Sequence, residues 1–151
     1  MWVSRRTDYA TRAVLALAMA GSDRPMRTEE LSRRTQVPAS VLEQIMPIMR
    51  NDGIVRSERG RYGGYVLNHK PHDITMERVV RLFEGQLAPI SCATRVAPEP
   101  CPMSVGCSLR FLWEDIRDVI LERLSTTTFG DLMDRAGGPW QAPETLRPLS
   151  V

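Results

Sequence analysis

The 151-residue sequence lacks any apolar run near the roughly 20 residues that a membrane-spanning helix needs. Its first residues lead into charged Asp8 and Arg12 rather than into the apolar core of a signal peptide. We therefore expect a cytoplasmic protein without a membrane partner. Catalytic patterns are missing as well, because no Ser-His-Asp set, phosphate-binding glycine loop or paired-acid constellation is recognisable. We expect a protein that is not an enzyme.

Lysine is almost absent, since Lys70 is the single lysine among 20 basic residues. The formal net charge is only +2, but residues 1–72 carry 12 basic and 7 acidic side chains, whereas residues 73–151 carry 8 and 11. A basic front half suits DNA, because each neutralised phosphate releases condensed counterions. A GC-rich coding genome also explains the arginine excess, so the charge alone does not identify a DNA-binding protein.

Helical spacing of apolar residues predicts a mainly α fold. We expect a first helix from Ser4 to Ala20, a short second helix from Thr28 to about Thr35 and a third from about Ala39 to Asn51. The turn at residues 36–38 gives the last two the arrangement of a helix-turn-helix, whose second helix presents side chains to DNA bases. Because Pro47 lies inside that helix, we expect a kink there or a shorter regular helix.

Two short strand patterns follow the third helix. Residues 54–57 and 65–67 flank the segment Glu58-Arg59-Gly60-Arg61-Tyr62-Gly63-Gly64, which predicts a small β-wing with arginines and flexible glycines at its tip. A wing directly after a helix pair predicts a winged helix-turn-helix DNA-binding domain over residues 1–83.

Nine residues are candidate contacts to double-stranded operator DNA. Ser40, Glu43 and Gln44 are expected to read or position bases. Arginines of the third helix, the first strand and the wing tip are expected to reach phosphates or a groove, although a solvated surface charge is the alternative for each. The complete set is Thr28, Ser40, Glu43, Gln44, Arg50, Arg56, Arg59, Arg61 and Tyr62.

All three cysteines fall in one proline-rich loop, residues 84–107. Cys92, Cys101 and Cys107 form the pattern C-x8-C-x5-C, which fits neither a structural disulfide framework nor the paired knuckles of structural zinc. A loop can wrap an iron-sulfur cluster with such irregular spacing, and a non-cysteine group would then be the fourth ligand. The alternatives are a thiol switch oxidised to a disulfide, without a cluster, and three incidental cysteines.

Beyond this loop, apolar residues recur at helical spacing over about four turns, the pattern of a long helix with one apolar stripe. We expect a dimerisation helix and a short terminal helix within residues 108–136, since a homodimer would match a palindromic operator. Packing against the first helix of the same chain is the alternative. Residues 137–151 are predicted to be a flexible tail. The stripe consists of Leu109, Leu112, Trp113, Ile116, Val119, Ile120 and Leu124.

Taken together, these motifs resemble the Rrf-type winged-helix transcription regulators, the family of IscR-, NsrR- and RirA-like proteins. The resemblance covers residues 1–136. It rests on Ser4 with Asp8-Tyr9-Ala10-x-Arg12-Ala13, Leu42-Glu43-Gln44-Ile45, Gly53-Ile54-Val55-x-Ser57-x-Arg59-Gly60, Gly63-Gly64-Tyr65-x-Leu67, the cysteine loop and Thr128-x-x-Asp131-Leu132.

The resemblance implies a homodimer with crossed long helices and a cluster held by the three cysteines. In IscR-like members a histidine follows the last cysteine by three residues, but Arg110 stands there in this sequence. In NsrR-like members an aspartate of the first helix completes the site, and Asp8 stands at the matching place. This favours a 4Fe-4S cluster with Asp8 over a 2Fe-2S cluster. An ordinary early-helix acid is the alternative for Asp8.

Overall fold

The computed structural model describes residues 3–21, 24–96, 98–103 and 105–136. Within these residues the chain forms a helical body with one small wing, and no helix of this part is long and apolar enough to cross a membrane. The predicted tail, residues 137–151, lies outside the described residues. The elements are α1 (Arg5–Ala20), α2 (Thr28–Thr35), α3 (Ala39–Asn51), β1 (Val55–Glu58), β2 (Gly64–Leu67), α4 (Met76–Glu84), α5 (Ser108–Thr126) and α6 (Phe129–Ala136), with short 3-10 turns at Pro71–Asp73 and Ser91–Ala93.

The predicted mainly α fold with a β-wing is confirmed, and the bounds of α2 and α3 are those expected from the sequence. The N-cap of α2 is Arg27, so this helix begins at Thr28 without a side-chain cap. Helix α3 continues through Pro47 to Asn51, so it is not shortened. At the start of α6 the Thr128 hydroxyl donates a hydrogen bond to the Asp131 carboxylate, which lowers the pKa of that carboxyl, and the Asp131 backbone N–H donates to the Thr128 hydroxyl.

Helix α1 lies at the centre of the core. Its buried face is built largely of alanine, which lets α2, α3, α4 and α6 approach closely. Phe129 of α6 is the largest fully buried side chain of the described residues. The core therefore joins the helix-turn-helix and the terminal helix into one body.

Helix α5 lies apart from this core. It packs against α4 and the turn Ser91–Ala93, and Arg117 is its one buried residue. The predicted single stripe divides into two faces: Trp113, Ile120 and Leu124 are partly covered, whereas Leu112 and Val119 are 50% and 66% exposed. Among the described residues, nothing covers the outer face fully.

Candidate DNA-binding surface and cysteine cavity

Helix α3 separates its apolar and polar residues cleanly. Leu42, Ile45, Met46 and Met49 are buried, which fixes the helix on the core. Ser40, Glu43 and Gln44 are exposed on the opposite side, and Ser40 lies about one turn before the other two. Arg50 is exposed near the C-terminal end of the same helix. The turn before α3 depends on Gln36, whose φ of 57° is in the left-handed region and whose amide donates a hydrogen bond to the Arg33 carbonyl.

The tip of the wing is basic and exposed. Strands β1 and β2 pair antiparallel from Val55 opposite Leu67 to Glu58 opposite Gly64. Arg59 and Arg61 are exposed in the loop between them, and Tyr62 is 82% exposed with the Arg61 guanidinium over its ring. Gly60 has a φ of +111°, which favours glycine at the tip.

Glycines on the second half of the wing are needed for space rather than for positive φ. A Cβ on Gly64 would lie 2.5 Å from the Met26 backbone, because Met26 and Tyr65 exchange backbone hydrogen bonds. Arg27 also donates a hydrogen bond to the Arg61 carbonyl. The wing is thus fastened to the segment that precedes α2, and its position relative to the helix-turn-helix is fixed.

This attachment forms a basic cleft of about 530 Å³ that the sequence analysis missed. Its basic lining residues are Arg24, Arg27 and Arg61, and Glu30 offsets part of their charge. Residues 24 and 61 are far apart in sequence, and the bridge between Met26 and Tyr65, together with the hydrogen bond from Arg27 to the Arg61 carbonyl, brings their segments together. The cleft extends the basic surface from the wing towards α2.

Two of the predicted DNA contacts are less available than the others. The Arg56 guanidinium donates to the Leu67 carbonyl at 2.9 Å and pairs with Glu58 at 3.0 Å. The positive charge of Arg56 is therefore partly neutralised by Glu58 within the wing. Thr28 is half-buried in the first turn of α2.

The three cysteines line one cavity of about 210 Å³. Cys92 lies in the turn Ser91–Ala93, Cys101 in the following loop, and Cys107 is the N-cap residue of α5. All three are half-buried free thiols. Gly106, with a φ of +80°, provides the turn that brings Cys107 to the start of α5. The remaining lining residues are Pro98, Glu99, Pro100 and Arg110.

Arg110 provides positive charge on the same cavity. Its pKa is raised, chiefly by the hydrogen bond to Glu114 and the charge of that residue, with smaller contributions from Cys92 and Cys107. Arg110 thus places one guanidinium among the residues that line the cysteine cavity.

Asp8 is separate from this cavity in the same chain. Its carboxylate pairs with Arg12 on α1 at 2.7 Å, and it is not among the residues that line the cysteine cavity. Within the described ranges, no three His, Cys, Asp or Glu side chains are placed to hold a metal ion. The three cysteines thus line one cavity, as predicted from their common loop. Glu99, which was not predicted, lines the same cavity, and Asp8 does not.

Arg117 anchors the turn that carries Cys92. Its guanidinium donates to the buried Ala93 carbonyl and, at 2.7 Å, to Asp118, which also accepts from Arg95 of the loop. The hydrogen bond from Arg117 lowers the pKa of the Asp118 carboxyl. These contacts fasten the first part of the cysteine loop to the middle of α5.

Arg117→Met is expected to loosen this turn while leaving the helical body folded. The substitution leaves the Ala93 carbonyl without its donor, and an unsatisfied buried acceptor costs about 1–3 kcal/mol, which corresponds to roughly tenfold more frequent local opening. Alkylation of Cys92 in metal-free reduced protein, followed by peptide mass spectrometry, would measure it. Arg123→Met, an exposed change on the same helix, is the control, and equal Cys92 rates in the two variants would contradict the anchoring role.

The start of the cysteine loop, at the end of α4, is held by hydrogen bonds to α1. Glu84, the last residue of α4, accepts hydrogen bonds from the Ser4 backbone N–H at 2.8 Å, the Ser4 hydroxyl at 2.6 Å and the Thr7 hydroxyl. The Ser4 hydroxyl bond is the main cause of the lowered pKa of Glu84. The start of the cysteine loop is therefore tied directly to the first turn of α1.

A helix pair with an exposed polar recognition face, followed by a basic wing, defines a winged helix-turn-helix DNA-binding transcription regulator. Residues 3–135 match the family profile described as Rrf2, iron-dependent transcriptional regulator. The chain belongs to the Rrf2 family, which consists of transcription regulators rather than enzymes. The family resemblance and the non-enzymatic role expected from the sequence are confirmed.

Individual relatives support this assignment along the whole chain. The chain is 33% identical over 134 residues to protein rrf2 of Nitratidesulfovibrio vulgaris, covering 88% of this chain and 87% of that protein. The structure of CymR, the global cysteine regulator of Bacillus subtilis, is similar with a TM-score of 0.75 and 31% identity, covering 89% of this chain and 98% of that one. The structure of T. potens IscR is similar with a TM-score of 0.73 and 25% identity, covering 99% and 94%.

Proposed function

We propose that this chain is a homodimeric regulator whose affinity for operator DNA depends on an iron-sulfur cluster held by Cys92, Cys101 and Cys107. The observation that carries the proposal is the convergence of these three free thiols on one cavity. The iron dependence in the description of the family profile supports it. Redox state, nitric oxide and iron supply are the signals to which such a site would respond.

The residues present suit an inorganic cluster. Thiolates are the ordinary protein ligands of iron-sulfur clusters, and the cavity of about 210 Å³ is below the range of about 300–1,000 Å³ that organic ligands occupy. A single zinc ion needs every sulfur about 2.3 Å from one centre, whereas a cluster offers several separate iron atoms. Three thiols around one cavity that form no single-ion site are therefore compatible with a cluster, and we favour 4Fe-4S over 2Fe-2S.

When bound, the cluster would supply a centre that is sensitive to oxidation, nitrosylation and loss of iron. The chain's own contacts provide the route from this cavity to the DNA-binding surface. Arg117 ties the Cys92 turn to α5, and Glu84 ties the start of the loop to α1. Because α1 packs against both α2 and α3, a changed loop would alter the placement of the recognition helices in a dimer.

A cluster-free thiol switch is the second candidate. The similarity to CymR, whose structure is described as that of a global cysteine regulator, favours it, as do three half-buried thiols in one cavity. Oxidation would join two of these thiols in a disulfide and require an oxidant such as a peroxide. This function uses the same loop and the same route to DNA.

Anaerobic purification of the full chain tests both functions. We expect a brown protein with iron, sulfide and thiolate-to-iron absorption, and a Cys101→Ser variant with little of each. Operator affinity of cluster-loaded and cluster-free wild type should differ by about 100-fold, which corresponds to about 2.7 kcal/mol of coupling. Ser125→Ala, outside the cysteine cavity, is the control. Colourless, iron-free protein whose operator binding responds to peroxide would instead establish the thiol switch.

A further inference from the structure

We propose that Glu99 is the fourth ligand of the cysteine cavity, an oxygen donor supplied by the same chain as the three thiols. This inference rests on the proposed cluster-dependent function. It is carried by position, because Glu99 lines the same cavity as Cys92, Cys101 and Cys107. Among the described residues that line this cavity, Glu99 is the one acidic side chain.

The local sequence holds Glu99 in place. It lies between Pro98 and Pro100, and both prolines line the cavity with it. A proline ring fixes its own φ near −65°, and the residue before a proline is confined to extended conformations. Less conformational freedom is therefore lost when the carboxylate binds than in an ordinary loop. Cys101 follows two residues later, so a thiolate and a carboxylate would be provided by one short rigid segment.

The Glu99 carboxylate is also available. In the part of the chain that the structure describes, no hydrogen bond or ion pair involves it, and Arg110, the cation of the cavity, pairs with Glu114 instead. Asp8, by contrast, is paired with Arg12 at 2.7 Å and would have to break that contact. Binding of Glu99 therefore requires less rearrangement than binding of Asp8.

A carboxylate ligand has a consequence for sensing. Oxygen is a hard donor and binds the iron of a thiolate-rich cluster less firmly than sulfur does. The iron position bound by Glu99 would thus be the first to become accessible to solvent or to a small reactant. Because the donor is in the same chain, each subunit would hold a complete set of ligands without its partner.

The test compares Glu99→Gln with Asp8→Asn in full-length protein loaded anaerobically with iron and sulfide. Both changes keep side-chain size and remove one negative charge. We expect Glu99→Gln to alter the visible circular dichroism and to speed iron loss to a chelator at least tenfold, with native mass spectrometry showing the cluster still present at first. Asp8→Asn and the control Glu122→Gln should match wild type in spectrum and in rate of iron loss.

Two results would overturn the assignment while the proposed function survives. If Asp8→Asn changes the spectrum and Glu99→Gln does not, the ligand comes from α1. If neither changes it, the fourth position is held by water or a small molecule. Wild-type protein that takes up no cluster would instead defeat the proposed function, and this inference with it. Far-ultraviolet circular dichroism checks that each variant is folded.

Discussion

Arg59→Ala combined with Arg61→Ala is expected to weaken operator binding at least tenfold and to reduce its dependence on salt. Both side chains are exposed at the wing tip, where they can reach phosphates or the minor groove. Each lost arginine contact is worth about 1–3 kcal/mol, and each lost phosphate contact lowers the slope of log affinity against log salt by about 0.9. Fluorescence anisotropy with operator and random duplexes at several salt concentrations measures both quantities.

Matched variants separate this effect from the loss of two positive charges. Arg81→Ala with Arg135→Ala removes the same charge from exposed positions on α4 and α6, outside the helix-turn-helix and wing. This control should bind almost as wild type does. If the control and the wing variant lose affinity equally, net charge rather than the wing governs binding, and the assignment of the wing is wrong.

The helix-turn-helix and wing were predictable because their signals are local. Periodic apolar residues define α1 and α3, and glycines within a short basic segment define the hairpin. Helix α3 kept its length despite Pro47 because four of its apolar side chains are buried in the core, which outweighs one lost backbone hydrogen bond. Local patterns were sufficient for these elements because their conformation is determined mainly by their own residues.

The parts of the site that were missed depend on contacts between distant segments. The cleft containing Arg24 and Arg27 exists because Met26 bridges to Tyr65, and no periodicity encodes that pairing. Burial of Arg117 contradicts the usual exposure of arginine and follows from an acceptor, the Ala93 carbonyl, on a separate loop. Glu99 was not predicted as a ligand because a single acidic residue in a loop forms no recognisable motif. Its position on the cysteine cavity is visible only in three dimensions.

For helix α5 the sequence pattern predicted the helix but not which of its apolar residues are covered. The spacing predicted one apolar stripe, but Trp113, Ile120 and Leu124 are partly covered in a helix that packs against α4 and the Cys92 turn. The other four residues of the stripe are Leu109, Leu112 and Val119, which are at least half exposed, and the partly covered Ile116. These four lie on one side of the helix, since they are three or four residues apart. A second copy of α5, crossing the first, would cover this surface.

Leu112→Glu combined with Val119→Glu is therefore expected to convert the proposed dimer into a monomer. The two carboxylates would be buried in the dimer interface without partners, and buried unpaired charges are strongly unfavourable. The monomer should still fold, because neither side chain belongs to the core. Sedimentation velocity at micromolar concentration measures the change in mass.

Operator affinity should fall about 100-fold or more in the same variant, because a monomer contacts one half-site and loses the gain from binding two sites together. Leu112→Met with Val119→Ile keeps the surface apolar and should remain a dimer with nearly normal affinity. Monomeric protein that binds a full operator as tightly as wild type would show that α5 does not pair the recognition helices. In that case the cysteine loop would have to act on DNA within a single subunit, through the contact between Glu84 and α1.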